Sequence, residues 1–380
     1  MHVGLNLIYL VPGESSGLET YARELIPALL QERTGLRVTA FVNREASEAA
    51  GGPWNELIPA VTVPVRARRR SEWVRGEQQL LPLLAKRAGV DVVHSLASTA
   101  PAWGAFRRVV TIHDVIYRMY PEAHPGLRSL AMRLLVPLAA RRSHRIIVPS
   151  ESTRHDLVRL LKVPAGKIDV VPNGGGTRPS ATWTSDQELR RRHDLGDGPF
   201  ALTVSLKRPH KNLVRLLEAL ASIPSERRPI LVLAGHPTAY EHELRVRAAA
   251  LGVSGETRFL GWVPEEELEG LYRSSTCFVF PSLHEGFGLP VLEAMARGVP
   301  VACSDRGALA EVADGAAVTF DPEQPRAIAA AIETLVADPA LRDRLGRAGR
   351  ANAARFTWEE SAKRTLQTYD AALAYSAETI

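Results

Sequence analysis

Glu285 and Glu293 bracket a glycine-containing segment, HEGFGLPVLE, which carries the residue types best suited to binding an extended polar ligand. Gly286 and Gly288 lie in the loop SLHEGFG, and Pro290 suits the first turn of a helix. That helix, LPVLEAMARG, runs to Gly298 as its C-terminal glycine. A glycine loop that opens a helix presents backbone N–H groups at the positive end of the helix dipole, a natural seat for a diphosphate. Side chains at positions 286 or 288 would obstruct close approach of the phosphates. Glu285 falls in the loop and Glu293 about one turn inside the helix, so they should meet different parts of the ligand. One carboxylate accepts hydrogen bonds from sugar hydroxyls, the other from a ribose. Taken by themselves, the two glutamates equally fit a solvated loop residue and a partner of the helix dipole.

The elements that must position this segment alternate in period. Short β-branched runs in the first half (VGLNLIYL, LRVTAFV, VDVVHS, RRVVTIHD, HRIIVPS) are separated by helical stretches such as LETYARELIPALLQER, LRSLAMRLLVPLAARR and STRHDLVRLL. Strands alternating with helices predict a parallel sheet covered on both faces. The pattern breaks at VPNGGGTRPSATWTSDQ, where Gly174, Gly175 and Gly176 predict a flexible domain linker. A second alternating series follows: GPFALTVS, RPILVLAG, ETRFLGW, TCFVFPS, GVPVACS and AAVTF. The expected fold class is therefore α/β, with two Rossmann-like doubly wound domains facing across a cleft, where ligands bind beyond the carboxyl ends of the strands. The boundaries fall at 1–178 and 179–357, and the C-terminal helix, 358–380, is expected to pack back on the first domain. Asn212 is expected to cap the helix NLVRLLEAL.

The bulk properties narrow the function classes. The chain has 380 residues, long for one core, with 45% hydrophobic and 23% charged residues, an ordinary globular mixture. Cys277 and Cys303 both lie in apolar runs and read as buried thiols, not as a disulfide or metal site. No apolar run approaches the roughly 20 residues of a membrane span, and MHVGLNLIYL reads as a first strand, not a signal peptide. The expected location is cytoplasmic, with peripheral contact at the inner membrane face as the alternative. The net charge of +5 is mild, and its one dense cluster is Arg66, Arg68, Arg69, Arg70 and Arg75 around Trp73. That cluster fits either a solvated loop or a patch for anionic headgroups or a phosphorylated acceptor. No nucleic-acid-binding motif accompanies it. A dinucleotide oxidoreductase is disfavoured because no G-x-G-x-x-G follows the first strand.

The spacing within HEGFGLPVLEAMARGVPV resembles the signature of the family-4 retaining glycosyltransferases of GT-B fold. The resemblance runs through most of the chain, with SSGLETYARELIPAL, RRVVTIHD, RRSHRIIVPSEST, KIDVVPNG, RPHKNL and FLGWVPEEEL in the family's order. It implies a hexosyltransferase that moves sugar from a nucleotide-sugar donor to a hydroxyl acceptor with retention. The acceptor could be a saccharide, a lipid-linked sugar or a natural product. A nucleotide-sugar epimerase, a sugar phosphorylase and a non-catalytic nucleotide-sugar-binding partner are the alternatives.

By the same resemblance, Glu285 lies by the transferred sugar, Glu293 holds the ribose and Lys211 neutralises the donor diphosphate. The catalytic set is Glu285, His113 and Lys211. The donor-binding set is Gly17, Ser205, Arg208, Lys211, Val263, Glu285, Gly286, Phe287, Gly288, Leu289 and Glu293. The leaving diphosphate gains charge as the glycosidic bond breaks, so a cation in reach favours the transition state selectively. No Asp-x-Asp motif occurs in the chain, and the resemblance implies no metal and no cofactor beyond the nucleotide-sugar co-substrate. Departures from the family pattern are visible. Ser16 stands where the first of two paired glycines is usual, before Gly17, and both Lys207 and Arg208 are in position to reach the phosphates. His113, at the end of VVTI, matches a histidine near the reacting sugar, and its other reading is a strand-end residue packed on Asp114. His94 is a weaker candidate for the cleft wall, and Trp262 and Val263 match a loop beside the nucleobase. The chain after His113 (DVIYRMYPEAHPG) and the stretch Arg66–Arg75 are expected to shape the acceptor site.

Overall fold

The computed structural model describes residues 1–14, 16–121, 127–176 and 179–375. It divides into two compact units, Met1–Gly174 with Phe356–Ile380, and Gly175–Arg355.

The first unit is built on seven parallel strands: β1 (His2–Leu7), β2 (Arg37–Val42), β3 (Ala60–Thr62), β4 (Val92–Ser95), β5 (Arg107–Thr111), β6 (Arg145–Val148) and β7 (Ile168–Val170). Their order is β3-β2-β1-β4-β5-β6-β7. The chain therefore starts centrally, winds outward through β2 and β3, and returns beside β1 as β4. Val3 pairs with Val38 on one side and with Val92 on the other. Helix Ser16–Glu32 turns Tyr21, Leu25 and Leu29 toward the sheet at a four-residue spacing that keeps them on one face. Helix Trp358–Leu373 adds Trp358, Ala362, Leu366 and Tyr369 to the same core, and Thr357 caps its start by accepting from the Glu360 amide.

The second unit holds six parallel strands: β8 (Phe200–Val204), β9 (Ile230–Ala234), β10 (Thr257–Phe259), β11 (Cys277–Phe280), β12 (Val301–Ser304) and β13 (Val318–Phe320). The order β10-β9-β8-β11-β12-β13 repeats the winding of the first sheet, with its reversal between β8 and β11. Leu213, Leu216, Leu217 and Leu220 form the buried stripe of helix Leu213–Ser222 against it.

The glycine run between the units does a different job from the flexible connection its composition suggests. A Cβ on Gly174 would lie 2.5 Å from the ring of Trp358, and one on Gly176 would lie 2.5 Å from Cγ of Glu293. These glycines permit close packing, and Gly176 also takes a left-handed φ of 77°. Residues 177 and 178 of the expected linker lie outside the described residues, as do Ser15, residues 122–126 of the segment after His113, and residues 376–380 of the terminal helix.

Candidate active site

The site grows from the reversal point of the second sheet, where two neighbouring strands run their following loops in opposite lateral directions and leave room for a ligand. β8 feeds the loop that begins at Ser205 and ends in the short turn Pro209–Lys211; β11 feeds the loop Pro281–Gly288. The Leu283 amide donates to the His210 carbonyl at 2.9 Å and ties the two loops together. Asn212 fastens the joint. Its Nδ2 donates to the carbonyls of Pro281 (3.0 Å) and Pro322 (2.6 Å). It stands at the N-cap position of helix Leu213–Ser222, but in left-handed backbone (φ 60°) with no side-chain cap bond. The expected capping role is thus replaced by a loop clamp: buried proline carbonyls need a donor, and this amide is within reach of both.

This joint brings Lys211 and Glu285 together. Lys211 Nζ lies 2.5 Å from Glu285 Oε1, with side-chain exposures of 16% and 11%, which leaves the pair reachable from solvent. The ammonium also sits 5.3 Å over the ring of Phe280. Immediately after Glu285 the chain enters helix Leu289–Ala296 through Gly288, whose φ of 115° only glycine adopts readily. A Cβ there would also meet Leu309 Cδ2 at 2.7 Å. Glycine at 288 is therefore demanded by the backbone and by Leu309 in addition to any ligand. Gly286 and Phe287 are buried in the same loop, and Leu289 is half-buried. Glu293 faces Tyr272, whose hydroxyl donates to its Oε2 at 3.2 Å. Burial and the Glu293 charge hold the Tyr272 phenol protonated, well above its ordinary pKa. Arg297, one turn on, stacks 5.0 Å over the Tyr272 ring and donates to Glu269 at 2.7 Å, which fixes this helix face. Tyr272 and Gly176 both touch Glu293, and neither carries a motif in the sequence.

The two basic residues before Lys211 separate clearly. Lys207 is 1% exposed and donates to the carbonyls of Gly235 (2.6 Å) and Leu260 (3.2 Å), with Glu241 at 3.6 Å. Burial lowers its pKa, with Glu241 opposing. It is a structural brace between three loops, so Lys207 is removed as a phosphate candidate. Arg208 is half-buried in the loop after β8. Ser205 is held by its amide to the Ala234 carbonyl, and its own carbonyl lies 2.3 Å from where a Cβ of Gly235 would stand. Trp262 is exposed and stacks loosely on His236, and Val263 is half-buried beside it, in the loop after β10.

In the first unit, His113 follows β5 and is half-buried. Its Nε2 pairs with the Leu96 carbonyl at 2.8 Å, and Tyr21 stands edge-on at 4.9 Å. Burial lowers its pKa. Gly17 falls in the first turn of helix Ser16–Glu32, not in the loop before it. The loop glycine with left-handed φ is Gly13 (79°), whose amide donates to Glu19 at 2.7 Å. His94 is fully buried between Tyr369 and Thr111, each at 2.7 Å, and burial drives its pKa down to about 3. It belongs to the core and not to a ligand surface. Cys277 and Cys303 are buried free thiols pushed up to about 12. Among the described residues no group of three His, Cys, Asp or Glu is placed to hold a metal, and no helix is long and apolar enough to cross a membrane.

Comparison with known proteins agrees with this architecture. Residues 15–175 match the model of Glycosyltransferase Family 4, and residues 185–352 match that of Glycosyl transferases group 1. The O-antigen chain mannosyltransferase B of Escherichia coli is 32% identical over 69% of this chain and 70% of its own. The D-inositol 3-phosphate glycosyltransferase of Streptosporangium roseum is 31% identical over 95% of this chain and 90% of its own. Against the longer serotype-specific mannosyltransferase WbdA of Escherichia coli, the match spans 34% of that protein. Among solved structures, the sucrose-phosphate synthase of Thermosynechococcus elongatus superposes with a TM-score of 0.77 at 22% identity, covering 97% of this chain and 98% of that one. Anabaena HepE in complex with UDP-glucose superposes at 0.72 with 21% identity, covering 97% and 99%. At such identities these structures speak for the fold, which is GT-B.

Proposed function

The chain belongs to the group 1 and family 4 glycosyltransferases, and from that premise we propose that it transfers a hexose from a nucleotide-sugar donor to a hydroxyl acceptor, with retention and without a metal. The observation that carries this reading is the Lys211–Glu285 pair at the reversal point of the second sheet, beside the N-terminus of helix Leu289–Ala296.

In the unliganded pair each charge neutralises the other. A donor diphosphate, carrying more negative charge than one carboxylate, competes for the Lys211 ammonium and frees Glu285 to accept from the sugar hydroxyls. The helix N-terminus shares the phosphate charge, and Arg208 lies on the same loop. Glu293, oriented by Tyr272, receives the ribose hydroxyls. As the bond from the anomeric carbon to the phosphate oxygen breaks, charge accumulates on the leaving diphosphate, and Lys211 stabilises it most in the transition state. A front-face route fits this arrangement better than a double displacement. The acceptor oxygen bonds to the anomeric carbon on the face the phosphate leaves, and the acceptor proton passes to the departing phosphate oxygen. Glu285, occupied with the sugar hydroxyls, is not required as a nucleophile. His113, whose Nε2 pairs with the Leu96 carbonyl, is assigned to the acceptor side because it follows the carboxyl end of a strand of the first unit.

The mannosyltransferase relatives make mannose the sugar to test first. A thermal-shift screen over nucleoside diphosphates and their sugars fixes the base and sugar together. Lys211→Ala and Glu285→Ala should each lower transfer by roughly 100-fold or more while the fold persists by circular dichroism. Near-normal transfer in both variants removes the proposed site.

A further inference from the structure

The arginine cluster of the first unit lies outside the donor machinery, and the fold gathers it around a pocket. Arg44 follows the carboxyl end of β2, and Pro64 and Arg66 follow the carboxyl end of β3. Helix Arg70–Arg75 then returns Arg75 to the same place. Together with Arg69, Ser71 and Glu72 they line a pocket of about 390 Å³, within the roughly 300–1,000 Å³ that small-molecule sites occupy. The pocket opens on the carboxyl edge of a parallel sheet, the edge where such sheets bind ligands, and the edge from which His113 emerges after β5.

Two features distinguish it from a solvated basic loop. Its backbone is tied down: Glu45 accepts from the amides of Ala67 (3.1 Å) and Arg68 (3.3 Å), and Glu72 accepts from the Arg66 amide (2.9 Å). Trp73 packs helix Arg70–Arg75 onto the core cluster that includes Val63 and Val65. Three of its four lining cations are also uncompensated. Arg69 pairs with Glu72 at 2.9 Å, and Arg68 is drawn off to Glu14. Among the described residues, the guanidiniums of Arg44, Arg66 and Arg75 have no carboxylate in ion-pair contact, although Arg75 is near enough to help lower the Glu72 pKa behind Arg69 and the Arg66 amide. Elsewhere in this chain exposed arginines commonly take a carboxylate three or four residues away, as Arg154 does with Glu151 and Arg364 with Glu360. Four arginines around one pocket whose 66–68 backbone is tied down, with a single glutamate among the lining residues, favour a dianionic or trianionic ligand, because guanidinium groups bind phosphate oxygens bidentately.

We propose that Arg44, Arg66 and Arg75 form a phosphate-binding site on the first unit, which holds a phosphate or diphosphate ester carried by the acceptor. That the ligand is an acceptor rests on the transferase reading above; that the pocket binds phosphate does not.

The test is a binding measurement on the full chain, made throughout in the Lys211→Ala background so that the donor loop lacks its lysine and any residual binding there is the same in every protein compared. Inorganic diphosphate is titrated calorimetrically into this protein and into the same protein carrying Arg44→Gln, Arg66→Gln and Arg75→Gln. A control carries Arg87→Gln, Arg141→Gln and Arg326→Gln, three exposed arginines distant in sequence. A second arm measures co-flotation with phosphatidylcholine vesicles, with and without phosphatidylglycerol. The pocket variant should bind diphosphate at least tenfold more weakly, and the control should bind normally. If flotation with the anionic vesicles falls in parallel, the phosphate is that of a lipid; if no variant floats, it is that of a soluble ester. No diphosphate binding by the parent, or equal losses of it in pocket variant and control, overturns the proposal. Because no arm reads turnover, failure of the transferase reading leaves the outcome interpretable.

Discussion

The two units share one winding order and use it differently. In the second unit the loops at the strand reversal bring together an ion pair, Lys211–Glu285, which remains open to solvent. In the first unit the corresponding reversal, between β1 and β4, is sealed. Asn6 on β1 donates to Ser95 on β4 and to Glu77, both at 3.0 Å, and Thr99 donates to Glu77 at 2.8 Å. Alongside, His94 is saturated by Tyr369 and Thr111. Polar side chains at a sheet's carboxyl edge either satisfy one another, and stabilise the fold, or remain available to a ligand. Sequence alone does not distinguish the two, since Asn, Glu, His and Ser appear in both settings.

Breaking the second unit's joint should separate donor binding from stability least cleanly, and with the largest effect at neutral pH. Asn212→Ala removes the donor to two proline carbonyls and places alanine at φ 60°. A loss of about 3 kcal/mol is expected from chemical denaturation, together with weaker donor affinity. An unchanged affinity for nucleoside diphosphate in this variant would mean that the clamp does not position Lys211.

The first unit should respond to pH instead. Burial disfavours the charged form of His94 and brings its pKa down from the ordinary 6.5 to about 3. Below pH 6.5 the unfolded chain binds a proton that the folded chain refuses, so stability falls as the pH drops through that window toward 3. The slope is about 1.4 kcal/mol per pH unit. His94→Gln should flatten this acid limb in urea titrations at pH 4–7; an unaltered limb would assign the loss to other groups.

Glu77 works in the opposite sense and more weakly. Burial raises its pKa from 4.5 to about 6 against the pull of Thr99, Asn6 and Gln78. The folded chain holds the proton longer, so Glu77 contributes stability below about pH 4.5 that is lost as pH rises through 6. The change is about 2 kcal/mol. Glu77→Gln should therefore gain relative stability with rising pH while donor affinity stays as in the parent. A fall in donor affinity would break the division of labour between the units. The smallest effect is expected at Cys277 and Cys303, whose buried thiols should resist alkylation until the chain unfolds. Rapid labelling of the native protein would contradict their burial.

The sequence by itself determined the strands, because their β-branched runs depend only on local period. Only β3 and β7, each three residues long, lack a run that stands out in the pattern. It also determined the glycine loop and Pro290, because φ 115° and a helix start impose residue types directly. Only the tertiary structure decided which polar residues are enclosed and which stay open at the edge of the sheet. Lys207 and Lys211 are four positions apart in similar company, yet one is enclosed by Gly235, Leu260 and Glu241 while the other meets Glu285. Asn212 has the sequence context of a cap, and two distant carbonyls made it a clamp. Burial and hydrogen-bond partners come from segments tens of residues away, and no local pattern encodes which of those segments will arrive.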